Sequence, residues 1–196
     1  TAAAVNSAAY RRTGNGSSST KLKGNIFYNN RGGSGDHFAL INSNGSATEW
    51  PAATSDYNNL YTSNPSTLGA WPDATNRDIS SWKTISGGDV NSKNVKTSFF
   101  DIYSDLHLNL YTNGNLSNAA IPFGGVSTDF DSETGSRSTT PDIGADEFIY
   151  LPPSCNTSFT EPLCYGESNG TASIVIANGG APFEYLWSTS QITNGI

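Results

Sequence analysis

The sequence predicts an all-β protein, a solenoid of stacked coils followed by the opening part of a second, smaller β unit. Three observations carry this expectation. Before position 150, short β-prone patches recur between Gly, Asn and Ser punctuation, and no segment keeps a long apolar period of 3.6 residues. The triplet Asn25-Ile26-Phe27 returns in kind at Asn59-Leu60-Tyr61, as it would if successive coils set like residues above one another. The run Thr140-Pro141-Asp142-Ile143-Gly144-Ala145-Asp146-Glu147-Phe148 is followed by Pro152-Pro153 and a fresh alternating pattern, and it reads as one domain ending and another beginning. The boundaries read from this are residues 1–150 for the solenoid coils and their cap, 151–154 for a linker, and 155–196 for the start of the second unit.

The elements follow in order. Strand patches lie at Asn25–Tyr28, His37–Ile41, Tyr57–Tyr61 and Ser98–Tyr103. Asn at coil corners tolerates the left-handed conformation, and its amide can bond to the amide above. The spacing exceeds a bare coil of roughly 20–29 residues, so inserted loops are expected at Ser43–Ser46 and Thr62–Pro65. A helical turn is expected over Asp78–Lys83, with Asp78 accepting from the free backbone donors of the first turn and Trp82 packing down on the solenoid. Gly87–Ser92 reads as a turn that feeds a strand over Thr97–Tyr103. In the second unit, Ala172–Ile176 and Phe183–Trp187 alternate as two antiparallel strands around Gly179-Gly180.

Composition narrows the functional classes. The chain has 196 residues, 35% of them apolar, which can supply a core. Charged residues make up 14%, below the roughly 25% of an average domain, so surface polarity rests on Asn, Ser, Thr and Gly, the habit of extracellular β proteins. The net charge is -7 and the ten Lys and Arg are scattered, which argues against nucleic acid because phosphate binding needs a clustered basic surface. No apolar run approaches the roughly 18 residues of a membrane span. The chain opens at Thr1 and contains no Met, so the natural start, with any signal peptide, is expected upstream.

Two resemblances emerge from particular residues. Trp82, Gly88-Asp89-Val90-Asn91-Ser92, Phe99-Phe100, Asp105-Leu106-His107-Leu108, Asp131, Gly135, Arg137 and Pro141–Glu147 together resemble the closing coils of secreted right-handed parallel β-helix proteins of Bacteroidota, related in fold to pectin and pectate lyases. An open solenoid end exposes unpaired backbone and apolar core, so a cap must cover it. The expected cap pairs Arg137 with Glu147 or Asp142, uses Gly144 for close backbone approach, and plugs the last coil with Ile143 and Phe148. Farther on, Cys164, Gly166, Asn169-Gly170, Ala172, Gly179-Gly180, Pro182-Phe183, Tyr185, Trp187 and Ser188 resemble the opening half of the SprB-type repeat of a Bacteroidota gliding-motility adhesin, with Phe183 where Tyr is commoner. That resemblance implies a partial immunoglobulin-like β-sandwich, since a complete one takes about 100 residues.

Candidate chemistry is sparse. Cys155 and Cys164 are the only cysteines; a disulfide and two free thiols both remain open, and two Cys without further ligands make a zinc site improbable. Asp129, Asp131 and Glu133 alternate in a way that could offer calcium ligands, but without the rest of a calcium loop they read as a solvated turn. Asp36 and His37 would point to opposite strand faces, whereas Asp105 and His107 would share one, in a segment better read as packing. Trp50, Trp71, Tyr57, Tyr61 and Tyr28 could stack on sugars, with core packing the preferred reading. Asn-x-Ser/Thr at Asn15, Asn44, Asn156 and Asn169 is expected by chance in so Asn- and Ser-rich a chain.

The resemblances imply a segment of a secreted cell-surface adhesin or scaffold, serving gliding motility or carbohydrate contact and exported by the type IX system. The expected partners are a polysaccharide or surface glycan, or other chains of a surface or secretion assembly. No catalytic, cofactor or metal residue is assigned, and no membrane span. The alternative is the C-terminal part of a polysaccharide lyase or hydrolase whose catalytic carboxylates lie on coils upstream of Thr1.

Overall fold

Strands far apart in sequence lie side by side and in parallel. The computed structural model describes residues 5–13, 21–43, 55–71, 76–132, 137 and 139–195. Most of its regular structure is strand, with one α-helix among the described residues. The chain divides into two units, Thr1–Leu108 with Asn115–Phe148, and Asn109–Gly114 with Ile149–Ile196.

In the first unit β1 (Ser7–Arg12) pairs in parallel with β4 (His37–Asn42), and β4 with β7 (Gly69–Ala70). β2 (Leu22–Lys23) pairs in parallel with β5 (Ser55–Asp56), and β3 (Ile26–Asn29) with β6 (Asn59–Thr62). Neighbouring partners are 30 residues apart at Ser7 and His37, 33 at Asn25 and Asn58, and 34 at Asn58 and Ser92. Parallel pairing needs a connection of a dozen residues or more, and these offsets provide it. β8 (Asn76–Arg77) folds back antiparallel on β7, so the widest sheet runs β1-β4-β7-β8, and the other sheets of the described residues have two strands each.

The register corrects the expected stacking by one residue. Ile26, not Asn25, lies opposite Asn59. Asn25 therefore neighbours Asn58, donating from Nδ2 to its Oδ1 at 3.2 Å, and Tyr28 stacks on Tyr61 with centroids 5.0 Å apart. Asn58 holds this register. Fully buried, its amide accepts from the Asn25 backbone N–H at 3.0 Å and donates to the Leu22 carbonyl at 2.7 Å. Asn59 serves the next segment instead, donating to the Val95 carbonyl and Thr97 Oγ1, each at 2.9 Å.

Two apolar clusters form the core. Leu22, Ala39, Leu40, Leu60, Leu68, Trp71 and Trp82 make one. Its lid is α1 (Ile79–Ser86), opened by Asp78, which accepts from the Ser81 N–H at 2.8 Å, and closed by Gly87 at φ 65°. Trp82 is fully buried and meets Trp71 edge to face at 5.5 Å. Trp71 is thus a core residue, while Tyr28 and Tyr61 are half-buried and Trp50 lies outside the described residues. Leu108, Leu116, Ala120 and Ile143 make the second cluster, against which Ile26, Tyr57, Phe99 and Phe148 pack.

The strand expected over Thr97–Tyr103 is shorter and does not join the parallel stack. β9 (Phe99–Asp101) turns into antiparallel β10 (Asp105–Leu108), because the Asp101 carboxylate accepts from the Tyr103 N–H at 2.9 Å and the Ser104 hydroxyl at 2.5 Å and so closes a tight turn.

The second unit also departs from expectation. Its ladder is β11 (Ser154–Thr160) antiparallel to β12 (Thr171–Asn178), and residues 183–187 form no strand. Hydroxyls along 154–160 match those of β12, with Ser158 bonded to Ser173 at 2.7 Å and Thr160 to Thr171 at 2.8 Å. Pro182 offers no backbone donor for the ladder once expected after Gly179-Gly180. The same geometry answers the cysteine question. Both thiols are free and exposed. Cys155 sits at the start of β11 and Cys164 past its far end, with five steps of about 3.3 Å along the strand from Cys155 to Thr160, a climb that exceeds the roughly 7 Å Cα limit of a disulfide.

Candidate functional site

The motif that ends the first unit folds around one guanidinium. Arg137 Nη1 lies 2.7 Å from Glu147 Oε1, while its Nη2 donates to the carbonyls of Gly144 at 2.7 Å and Asp142 at 3.2 Å. Glu147 Oε1 also accepts from the Asp142 N–H at 2.9 Å. The Asp142 carboxylate turns the other way and accepts from the N–H groups of Asn118 at 2.5 Å and Phe148 at 2.8 Å. Arg137 therefore meets the carboxylate of Glu147 and only the backbone of Asp142. Desolvation pushes the pKa of both acids up, opposed at Asp142 by its backbone donors and at Glu147 by the Asp142 N–H. Gly144 adopts φ 125°, and a Cβ there would come within 2.9 Å of Ile26 Cδ1. Beside it, fully buried Ile143 donates its N–H to the Leu116 carbonyl at 2.9 Å.

A second charged group lies on β10. His107 Nδ1 is 2.5 Å from Asp105 Oδ1, and Nε2 is 2.6 Å from Asp131 Oδ2, with the ring tilted against Phe130. The hydrogen bonds to Asp105 and then Asp131 push the His107 pKa up to about 9, and Asp105 is lowered in return. An imidazole held protonated at neutral pH is a poor general base, so this trio acts as a charge bridge. Asp146 accepts from the Leu108 N–H at 2.6 Å. Ligand-type atoms of His107, Asp131 and Asp146 all lie within 4.8 Å of one another. The sequence reading paired Asp105 with His107 but missed Asp131, which lies 24 residues away and carries no local signal. Asp36 and His37 form no such pair: His37 Nδ1 lies 2.9 Å from Ser7 Oγ instead.

Arg137 and Asp146 of these groups line a cleft of about 1100 Å³ in the first unit, with Ile26, Tyr28, Phe99, Phe123 and Phe130 on its apolar wall and Asp129 among its polar residues. Asp129 is 7% exposed and so departs from the expected solvated turn, in which Phe130 and Ser132 are exposed and Asp131 is partly buried; Glu133 lies outside the described residues. An apolar wall with a few convergent polar groups is the usual composition of a small-ligand site.

The second unit carries the hairpin of β11 and β12 with its flanking loops. Residues 152–191 match the SprB repeat family. Repeats of this family are found in cell-surface proteins. The matched span includes all of the residues quoted for the resemblance, from Cys164 to Ser188, and its strand β11 is exposed throughout. Phe159, Leu163, Tyr165 and Leu186 are all largely solvent-facing. No curated protein and no solved structure matches the chain. No helix among the described residues is long and apolar enough to cross a membrane.

Proposed function

We propose that this chain is a segment of a secreted cell-surface adhesin or scaffold. The observation that carries the reading is the SprB repeat match over residues 152–191. In this reading the first unit is the closing coils and cap of a right-handed parallel β-helix. Its parallel pairings at offsets of 30, 33 and 34 residues support a coil repeat, and the buried Arg137–Glu147 pair supports the cap. The hairpin of β11 and β12 opens a sandwich repeat. A lone two-stranded hairpin is marginal in water, so its exposed apolar residues are the surface that a sandwich partner sheet would cover.

Surface display in gliding motility, with a polysaccharide or surface glycan as ligand and export by the type IX system, is the function this arrangement serves. Glycan-array binding by the full-length protein, run beside an activity screen on the same glycans, tests it. Binding without turnover is the expected outcome. Robust release of uronic acids from pectin-like substrates would overturn the adhesin reading in favour of a lyase.

A further inference from the structure

The cleft of the first unit has on its lining a carboxylate that the protein leaves unpaired. Asp129 is more than nine-tenths buried, and among the described residues neither of its oxygens has a hydrogen-bond partner. A buried carboxylate in that state is strongly disfavoured until a donor reaches it. The guanidinium on the same lining is already engaged, since Arg137 holds Glu147 and the carbonyls of Asp142 and Gly144.

Aromatic rings dominate the rest of the lining, and two of them face solvent. Phe130 is 59% exposed and Phe123 43%, with Phe99 and Tyr28 farther along the wall. The rings are held by neighbours. Tyr28 stacks on Tyr61 at 5.0 Å and meets Phe99 edge to face at 5.6 Å, while Phe130 tilts against His107 at 5.1 Å. Side chains already fixed in place lose little freedom when a ligand arrives. At about 1100 Å³ the space exceeds the roughly 300–1,000 Å³ of compact small-molecule pockets, so it suits an extended ligand.

We propose that this cleft binds a neutral saccharide chain, its sugar rings laid on Phe130 and Phe123 and its hydroxyls donating to Asp129. The inference rests on the glycan-binding reading above and deepens it by naming the place and the charge of the ligand. A sugar ring presents an apolar C–H face, which suits an aromatic wall. The polar lining offers acceptors at Asp129 and Asp146 and donors at Lys23 and Thr128, and a hydroxyl serves both kinds at once. An aliphatic ligand would leave Asp129 unpaired. A uronate fits poorly, because the charge of Asp129 already bears on Asp146 and Glu147 and a further carboxylate would add to that repulsion. The guanidinium fork that would read such a carboxylate is closed on Glu147.

The test is calorimetric titration of the whole chain with xylohexaose, mannohexaose, maltohexaose and hexagalacturonate. At least one neutral oligosaccharide is expected to bind, and hexagalacturonate more weakly. Phe130→Ala, at an exposed position, is expected to weaken that binding about tenfold. Asp129→Asn is expected to weaken it roughly tenfold, as a charge-assisted bond becomes a neutral one, while melting no lower than the parent because a buried charge is removed; a residue with only a structural role would not separate the two readouts. If Asp129→Asn does not fold, Phe130→Ala carries the test. No saccharide binding by the parent chain would overturn the cleft as a sugar site. Binding that survives both substitutions would place the glycan elsewhere, overturning the cleft while leaving the adhesin reading in place, and tighter binding of hexagalacturonate would overturn the neutral class.

Discussion

The indole N–H of Trp82 donates to Oδ2 of Asp89 at 2.9 Å, and this fully buried carboxylate is the junction of three segments. Oδ2 also accepts from Ser55 Oγ at 3.0 Å, while Oδ1 accepts from Asn58 Nδ2 at 3.0 Å and Ser92 Oγ at 2.7 Å. Either orientation of an amide at this position sets an NH2 against the Trp82 or the Asn58 donor. Asp89→Asn is therefore not conservative and is expected to lose about 3 kcal/mol in urea denaturation, with Asp89→Ala losing more. A change below about 1 kcal/mol for the Asn variant would show that the junction relaxes without cost.

Removing one partner of a buried ion pair strands the other. Arg137 and Glu147 are 11% and 9% exposed at their side chains, so Arg137→Ala is expected to cost about 3–5 kcal/mol. The double variant Arg137→Ala with Glu147→Gln should recover part of that loss. Unchanged thermal stability of Arg137→Ala would remove the ion pair from the account of the cap.

Gly144→Ala tests backbone approach. The residue sits at φ 125° and its added methyl would press on Ile26 Cδ1, so a loss of roughly 1–3 kcal/mol is expected. Adding Ile26→Val should return only the steric part of it, which separates packing from backbone strain.

Stability should fall as pH rises through the weakly alkaline range. His107 has its pKa raised from 6.5 to about 9 in the folded chain, through its bonds to Asp105 and Asp131. Its contribution is fully present below 6.5 and is lost as the pH climbs through about 9. NMR of the EDTA-treated protein should show the His107 ring still protonated at pH 7.5, and His107→Asn should flatten the decline in melting temperature between pH 6.5 and 9.

Cys155 and Cys164 are free and exposed. A maleimide added to the native protein without reductant is expected to give two adducts by mass spectrometry, and an unlabelled chain would mean the thiols are paired.

Much of the local structure was legible in the sequence because its causes are local. Asp78 three residues before Ser81 caps a helix, Gly87 ends it, and the Asp142–Glu147 run places its charged groups within one tight turn. The strand patches at His37 and Asn59 were likewise visible, since β-prone runs bounded by turn residues are a property of short windows. The SprB repeat residues belong to the same kind of signal, a local pattern matched over one segment.

What the tertiary structure alone decided is which distant groups meet. Asn58 rather than Asn59 neighbours Asn25, β12 pairs with residues 154–160 rather than 183–187, His107 reaches Asp131, and Asp129 is buried rather than solvated. Alternation in a strand tells which side chains share a face, but it is silent on the partner and on the register. Those are set by how many buried donors and acceptors a given alignment satisfies at once, a sum over the whole fold that no single stretch of this sequence contains.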